Sequence, residues 1–149
     1  MMFKIRKIQP DDCLEWHALR LQLWAEDEDE SDLLENTFEY FKNPKKQQVF
    51  IAENKEGNLI GFIEANIREY AEGCDTDNVG FIEGWFVLPD YRRQNIGKKL
   101  VETAENWAKQ QGCTEMASDT HIHNELSIDA HTKLGYEEVE RIICFRKKL

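Results

Sequence analysis

The most specific local feature of this chain is the stretch Val87-Leu88-Pro89-Asp90-Tyr91-Arg92-Arg93-Gln94-Asn95-Ile96-Gly97-Lys98-Lys99-Leu100. The apolar run that leads into it predicts a buried strand, which ends at Pro89 because proline has no N–H for a sheet ladder. Apolar residues then recur at helical spacing, at Ile96, Leu100, Ala104 and Trp107. This pattern predicts an amphipathic helix that runs to Gln111 and ends at Gly112.

The turn between this strand and this helix carries positive charge. The first N–H groups of a helix and the positive end of its dipole favour anions. Four basic side chains lie beside them: Arg92, Arg93, Lys98 and Lys99. The turn therefore predicts a diphosphate site, with an ordinary turn carrying solvated basic residues as the alternative.

The other elements are predicted outward from this unit. Periodicity of two predicts strands at 2–9, 48–52, 59–67, 79–88, 113–118, 136–139 and 142–146. Helical periodicity predicts a helix at about 11–24, with Leu14, Ala18, Leu21 and Trp24 on one face. A second helix is predicted to begin after a cap at Ser31 or Asp32 and to end at about 42, and another is predicted at 124–134. The order β-α-α-β-β-β-α-β-α-β-β predicts an α/β fold, a mixed sheet flanked by about four helices, in a single domain over 1–149.

Composition excludes several classes of protein. Asp and Glu number 29 against 19 Lys and Arg, a net charge of −10, which argues against a nucleic-acid binder. No apolar run approaches the ~20 residues of a membrane span, and the start lacks the features of a signal peptide. The four cysteines form no Cys-x-x-Cys pair, and His121-x-His123 lacks a third ligand, so no metal site is predicted. We expect a cytoplasmic protein with reduced thiols.

The segment Arg92-Arg93-Gln94-Asn95-Ile96-Gly97 resembles the acetyl-CoA-binding motif of the GCN5-related N-acetyltransferase (GNAT) superfamily. That motif reads Arg/Gln-x-x-Gly-x-Gly/Ala after a strand that ends in a hydrophobic residue and proline. Asn95 stands where glycine is usual, and asparagine tolerates positive φ better than most residues. Downstream, Leu134-Gly135-Tyr136 resembles the superfamily's second half. The resemblance implies a GNAT fold with a mostly antiparallel sheet.

A narrower resemblance points to the aminoglycoside 6'-N-acetyltransferases. It rests on Trp24 after Leu-x-x-Gln-Leu and on the segments Gly73-Cys74-Asp75, Phe81-Ile82-Glu83-Gly84, Glu115-Met116-Ala117-Ser118-Asp119-Thr120 and Glu140-Arg141. It implies transfer of an acetyl group from acetyl-CoA to the 6'-amine of an aminoglycoside by direct attack on the thioester. Antibiotic resistance and a homodimer are implied as well.

The resemblance also implies roles for the cofactor-binding residues. The backbone of Trp85, Phe86 and Val87 would hold the pantetheine arm like an added strand. Backbone N–H groups from Arg93 through Gln94, Asn95, Ile96 and Gly97 to Lys98 would bind the diphosphate, together with the charge of Arg92. Asn124 would hydrogen-bond the arm.

Acidic and aromatic residues are the candidates for the substrate site. The alternation of strand 79–88 places Val79, Phe81, Glu83, Trp85 and Val87 on one face. A carboxylate among apolar neighbours needs a partner, either substrate ammonium groups or a structural hydrogen bond. Asp119, at the end of the neighbouring strand, is expected to complete a cation pocket with Glu83. The resemblance adds three residues to this site, Trp24, Tyr70 and Glu140, and it places Glu140 either within one subunit or across a subunit interface. Asp27 stands where the family pattern varies, and its place in the acidic loop predicts that it binds another ammonium group.

Three side chains are candidates for proton transfer. Glu83 or Asp119 would relay the amine's proton, and pure electrostatic binding is the alternative for both. His131 lies where many relatives place a tyrosine that protonates the departing thiolate. A histidine's ordinary pKa of ~6.5 makes it no obvious acid for this step, so a packed helix-face histidine is the alternative.

Two other functions stay open at this point. The same chemistry could act on a polyamine or on a protein or peptide amine, which the acidic loop Glu26–Asp32 fits equally well. A non-catalytic acyl-CoA-binding module is the other possibility, and it would be supported by Asn95 in place of glycine and by histidine in place of tyrosine.

Overall fold

The structure is a computed structural model that describes residues 2–24, 29–42 and 46–149. It contains five strands, β1 (Phe3–Lys7), β2 (Gln47–Asn54), β3 (Leu59–Arg68), β4 (Val79–Val87) and β5 (Glu115–Ser118). Its four α-helices are α1 (Cys13–Trp24), α2 (Glu30–Lys42), α3 (Ile96–Gln110) and α4 (Glu125–Lys133), and short 3-10 helices cover Pro10–Asp12 and Pro89–Tyr91. The predicted mixed sheet with about four helices is confirmed.

The strands form one sheet in the order β1-β2-β3-β4-β5. The first four pair antiparallel, and β5 runs parallel to β4. The pairing of β4 with β5 ends at Ile82 opposite Ser118, although β4 continues to Val87. The last five residues of β4 therefore have a strand on the β3 side only, and a cleft opens beside them.

Helices cover both faces of the sheet. The helix α3 packs Leu100 and Ala104 on one face, against Ile63 and Val87. The helices α1 and α2 cover the other face, where Trp16 contacts a cluster that includes Phe62 and Phe86. Among the described residues, no helix is long and apolar enough to cross a membrane.

A β-bulge in β4 corrects the predicted face of this strand. Glu64 pairs with Gly84 and Ala65 pairs with Ile82, so Glu83 is an extra residue without a partner position. One extra residue reverses the alternation of side chains beyond it. Val79 and Phe81 accordingly lie in a separate cluster with Ala71, whereas Trp85 and Val87 pack on the α3 side. The predicted shared face of all five residues was wrong.

The buried face of α1 also differs from the prediction. Leu14 is 69% exposed, and the helix instead buries Trp16, Leu19 and two polar side chains, His17 and Arg20. The guanidinium of Arg20 donates hydrogen bonds to Glu64 (2.7 and 3.2 Å), Thr37 (2.7 Å) and Asn36 (2.9 Å). Periodicity of apolar residues could not find this face because a buried ion pair occupies it.

The start of α2 is capped one turn earlier than predicted. Asp29 accepts hydrogen bonds from the backbone N–H groups of Ser31 (2.9 Å) and Asp32 (3.3 Å), so Asp29, rather than Ser31 or Asp32, is the capping side chain. These bonds, with one from the Ser31 hydroxyl, lower the pKa of the Asp29 carboxyl.

The predicted strands at 136–139 and 142–146 are not formed. The chain after α4 has no regular secondary structure, and its apolar side chains are exposed, Ile143 by 81% and Phe145 by 91%. This prediction was wrong: the residues alternate as in a strand, but a strand needs a neighbouring strand to satisfy its backbone hydrogen bonds. Among the described residues, no strand lies beside residues 137–149. This stretch is called the C-terminal segment below.

Candidate active site

The cleft between β4 and β5 contains the predicted cofactor-binding strand residues. Trp85, Phe86 and Val87 follow the bulge and lie beyond the last β4–β5 pair. In the described part of the chain no strand lies on this side of them, so backbone groups of this edge are open to an extended ligand. An acyl chain bearing amide groups could bind there as a strand would.

The N-terminus of α3 lies at the end of β4. Asn95 adopts the left-handed conformation (φ 66°, ψ 10°), as expected for a residue that replaces glycine, and Arg93 does the same at φ 64°. No side chain caps the helix, and the first intrahelical bond runs from the Lys99 N–H to the Asn95 carbonyl at 3.0 Å. The preceding N–H groups, of Ile96, Gly97 and Lys98, are left for an anion.

Gly97 sets how closely the helix approaches the strand. A β-carbon at this position would lie 3.2–3.5 Å from the indole ring of Trp85. The buried Nε1 of Trp85 has no hydrogen-bond partner among the described residues. A larger side chain at position 97 would have to move this ring or point into the anion site.

The basic and polar residues of the turn have different surroundings. Arg92 donates a hydrogen bond from Nε to the Val87 carbonyl at 2.8 Å, and its guanidinium lies 5.6 Å from the Phe86 ring. Arg92 therefore ties the turn to the end of β4. Gln94 is exposed beside Asn95, and the Nζ of Lys98 lies 4.0 Å from Glu102.

Glu83, at the bulge, has a partner in this chain. Arg68, the last residue of β3, contacts its carboxylate with three N···O distances of 2.5, 2.8 and 2.9 Å. The guanidinium also lies 3.5 Å from the centroid of the Phe81 ring. Both side chains are partly exposed, so a cationic substrate can reach this pair, but it meets a carboxylate that is already paired.

Trp24 lies on the α1 side of the sheet, against β4. Its ring occupies the space above Gly84, where a β-carbon would lie 2.6 Å from Cη2. The Arg20 guanidinium lies 5.0 Å from the ring centroid. Trp24 is half-buried, so it both packs on β4 and keeps part of its ring open to solvent. Tyr70 is exposed in the loop after β3, and Asp27 lies outside the described residues.

Asp119 follows the last paired residue of β5, as Glu83 follows the last paired residue of β4. Glu83 and Asp119 therefore lie where the cleft starts, one on each of the two strands that border it. Asp119 is exposed, and among the described residues its carboxylate has no hydrogen-bond or ion-pair partner. The pair differs in that Glu83 is neutralised by Arg68 and Asp119 is not.

His131, on α4, lies at the inner end of the cleft. Its Nε2 is 2.8 Å from the Ser118 hydroxyl, and its Nδ1 is 2.7 Å from the Ser127 carbonyl oxygen. The ring meets Trp85 edge to face, at 5.4 Å between centroids. His131 is packed on the face of its helix, which was the alternative to a catalytic role. Its ring is also hydrogen-bonded to Ser118, a residue that borders the cleft.

Asn124 has a hydrogen bond that fixes its side chain at the start of α4, whereas Glu140 is exposed. Asn124 caps α4 by accepting a hydrogen bond from the Ser127 N–H at 3.1 Å, which leaves its amide N–H groups for a ligand. Glu140 is exposed in the C-terminal segment. Its neighbour Val139 lies against the loop after β3, since a β-carbon at Gly73 would come within 2.6 Å of it.

Two side chains of this site were missed in the sequence. Arg68 gives no signal because its pairing with Glu83 depends on the β3–β4 register. Ser118 belongs to the segment Glu115–Thr120 quoted for the resemblance, but the sequence does not show that its hydroxyl contacts His131. Glu115 of the same motif is structural: it accepts hydrogen bonds from Thr76 and from the Asp75 N–H, and these lower the pKa of its carboxyl.

In the described part of the chain no group of three or more His, Cys, Asp or Glu side chains could hold a metal ion. The described cysteines Cys13, Cys74, Cys113 and Cys144 are free thiols. The site therefore consists of an anion-binding helix start, an open strand edge, two carboxylates and a hydrogen-bonded imidazole.

Comparison with known proteins agrees with this arrangement. Residues 11–136 match the sequence profile of the acetyltransferase (GNAT) family. The chain is 42% identical to an aminoglycoside N(6')-acetyltransferase type 1 of Klebsiella aerogenes, over 97% of this chain and 96% of that protein. It is 39% identical to the protein of the same name from Salmonella enteritidis, over 97% and 98%.

Solved structures give the same result. The structure of AAC(6')-Iy in complex with the bisubstrate analog CoA-S-monomethyl-acetylneamine matches with a TM-score of 0.90 and 38% identity, over 100% of both chains. The apo structure of AAC(6')-IG from Acinetobacter haemolyticus matches with a TM-score of 0.90 and 35% identity, over 98% of this chain and 99% of that one. The chain therefore belongs to the acetyltransferase (GNAT) family and, within it, to the group of the aminoglycoside N(6')-acetyltransferases.

Proposed function

We propose that this protein is an acetyl-CoA-dependent aminoglycoside 6'-N-acetyltransferase that confers resistance to these antibiotics. One observation carries the proposal: an uncapped α3 N-terminus and an open β4 edge lead directly to Glu83 and Asp119. An anionic thioester donor and a polycationic acceptor would thus meet where β4 and β5 separate. The names of the relatives and the analog bound by AAC(6')-Iy support this choice.

Acetyl-CoA fits the donor half of the site. The N–H groups at the start of α3 would bind its diphosphate, because they are unbonded and lie at the positive end of a 15-residue helix. The open edge at Trp85–Val87 would hold the pantetheine arm, and the Asn124 amide could donate to it. Acetyl-CoA supplies the acetyl group as a thioester, and the 6'-amine attacks that carbonyl directly.

An aminoglycoside fits the acceptor half. The net charge of −10 attracts a polycation and raises its concentration at the surface. Glu83 and Asp119 would bind ammonium groups, and Trp24 and Tyr70 would contact sugar rings and ammonium groups through their aromatic faces. Asp27 and Glu140 are proposed as further carboxylates for the same substrate.

A homodimer in the cytoplasm completes the proposal, with residues 1–149 as a single acetyltransferase domain. The C-terminal segment exposes a row of apolar side chains, Val139, Ile142, Ile143 and Phe145, that a single chain leaves in water. The β5 strand lies at the sheet edge and can accept another strand. We place a second copy of this chain on the segment, which would bring Glu140 to the subunit interface.

The test is thiol release from acetyl-CoA with kanamycin or tobramycin as acceptor. The proposal expects turnover that requires the 6'-amine and is lost with an aminoglycoside carrying a 6'-hydroxyl. Spermidine and a basic peptide serve as parallel acceptors. Turnover with these alone would reassign the acceptor to another amine. Acetyl-CoA binding without any turnover would instead indicate a non-catalytic module.

A further inference from the structure

Ser118 and His131 form a hydrogen-bonded pair whose proton positions follow from their partners. The Ser127 carbonyl oxygen, 2.7 Å from His131 Nδ1, can only accept, so Nδ1 carries a proton. In the neutral ring Nε2 is then an acceptor, and the Ser118 hydroxyl, 2.8 Å away, donates to it. The Ser118 oxygen keeps lone pairs for a further donor, so the pair can take up a proton at one end and store it at the other.

The orientation of the imidazole is held from several sides. Trp85 and Tyr136 both meet it edge to face, with centroid distances of 5.4 and 5.8 Å. The turn that carries the Ser127 carbonyl is capped by Asn124. The Tyr136 hydroxyl donates to Glu105 at 2.6 Å, and burial with this carboxylate raises the pKa of Tyr136 well above its usual range. That phenol is thus engaged elsewhere and stays protonated.

Ser118 also has the position that a proton relay needs. It is the last residue of β5, and its pairing with Ile82 closes the inner end of the cleft. Glu83, the expected alternative base on the opposite side, has both carboxylate oxygens in an ion pair with Arg68. The hydroxyl of Ser118 therefore lies at the point where the two strands separate and is already hydrogen-bonded to the imidazole of His131.

We propose that Ser118 and His131 relay the proton that moves from the attacking amine to the departing thiolate. The C–N bond forms first, and the carbonyl π electrons move to oxygen. The amine's proton passes to Ser118 Oγ as the hydroxyl proton passes to His131 Nε2. When the C–S bond breaks, the thiolate takes the hydroxyl proton and His131 returns its own. One proton has then moved from nitrogen to sulfur, and the ring is neutral again.

This relay rests on the proposed function, because it needs an amine that the enzyme acetylates. The main variant is Ser118→Ala, assayed with whichever amine the wild type acetylates. We expect kcat to fall ~100-fold or more, the range of general acid–base catalysis. The affinities for acetyl-CoA and for the amine, measured by calorimetry, should change less than about twofold, since the relay does no binding.

Companion variants separate the relay from a packing role. Ser118→Thr keeps the hydroxyl and should retain most of kcat. The double variant Ser118→Ala/His131→Phe should be no slower than either single variant, because both changes interrupt one chain. Thr132→Ala is the matched control, since it removes a hydroxyl on α4 that donates its hydrogen bond to the Ile128 carbonyl, away from Ser118 and His131. Additive losses in the double variant, or a Ser118→Ala enzyme within threefold of wild type, would overturn the relay.

A measurement without substrate keeps the proposal independent of turnover and of folding in the variants. The ¹⁵N chemical shifts of His131 in the wild-type protein should report the neutral ring with its proton on Nδ1. A proton on Nε2 would leave Ser118 as acceptor and would overturn the relay. If no amine is acetylated, the proposed function fails, whereas the tautomer still decides whether the pair has the arrangement described.

Discussion

The guanidinium of Arg68 contacts both carboxylate oxygens of Glu83, at 2.5 to 2.9 Å, at the bulge where β4 leaves β5. The bulge is the reason for the contact, because it leaves Glu83 without a partner position in the β3–β4 ladder. A substrate ammonium that binds Glu83 must share this carboxylate with Arg68 or displace it. At the proposed substrate site, Arg68 would therefore compete with the substrate ammonium for Glu83.

The first prediction concerns this competition. Replacing Arg68 by Gln should lower KM for the aminoglycoside about threefold, because it frees the Glu83 carboxylate. Replacing Glu83 by Gln should raise KM about tenfold, the value of one charge-assisted hydrogen bond. Steady-state kinetics at saturating acetyl-CoA measure both. Lys133→Gln, which removes one surface positive charge from an exposed pair with Asp129, is the control for net charge. A rise in KM for both pair variants would show that Arg68 and Glu83 act as one structural unit.

The second prediction tests the packing of Trp24 on β4. A methyl group at residue 84 would lie 2.6 Å from Cη2 of Trp24, so Gly84→Ala must displace the ring. We expect the free energy of unfolding to fall by about 1–3 kcal/mol and KM for the aminoglycoside to rise. Urea denaturation measures the first. Trp24→Ala should lower the free energy of unfolding less in the Gly84→Ala variant than in the wild type, since the ring has already moved. Strict additivity of the two changes would contradict the contact.

The third prediction concerns the anion site of α3. Gly97→Glu places bulk against Trp85 and a negative charge beside the proposed diphosphate site, so acetyl-CoA binding should be abolished. Calorimetric titration measures it. Asn106→Glu adds the same charge to the exposed side of the same helix and should bind acetyl-CoA normally. Wild-type affinity in Gly97→Glu would place the diphosphate elsewhere.

The fourth prediction is a pH dependence of stability that originates at His17. This ring is buried beside Thr37, and burial together with the charge of Arg20 lowers the pKa of His17 below its usual value. The unfolded chain then binds the proton more readily than the folded one. The stability that neutral His17 contributes is fully present above the pKa of ~6.5 that histidine has in the unfolded chain. This stability is lost as the pH falls below that value, by at most about 1.4 kcal/mol per pH unit.

Denaturation at a series of pH values between 7 and 5 measures this slope. His17→Gln should flatten it, because glutamine does not titrate. His123→Gln, at an exposed position, should leave the slope as it is in the wild type. Equal slopes for the wild type and His17→Gln would assign the pH dependence to other groups.

The fifth prediction concerns the C-terminal segment. Sedimentation should give the wild type twice the monomer mass, and Phe145→Asp should shift it towards the monomer, because a charge replaces an apolar contact with the second copy. Lys148→Asp makes an exposed charge change nearby and should remain dimeric. A wild type that is monomeric at micromolar concentration would remove the proposed interface.

The local course of the chain could be read from the sequence. Pro89 ends β4, apolar spacing from Ile96 defines α3, and Asn95 takes the positive φ expected where glycine is usual. These features depend on residues close to one another in the chain, because a helix or a turn is set by nearest neighbours and by the conformations each residue allows. The order of the elements as far as α4 follows from them, and so does the proposed donor half of the site.

The partners of the polar side chains were decided only by the tertiary structure. Arg68 meets Glu83 through strand register and a bulge, and Ser118 meets His131 across 13 residues of sequence. The C-terminal segment has the alternation of a strand and yet forms none, since no strand of the described residues pairs with it. Periodicity reports which side chains avoid water, but a register shift of one residue changes which of them meet. Local sequence therefore sets the helices, the strands and their turns, whereas the pairing of the site's polar side chains depends on how distant segments pack together.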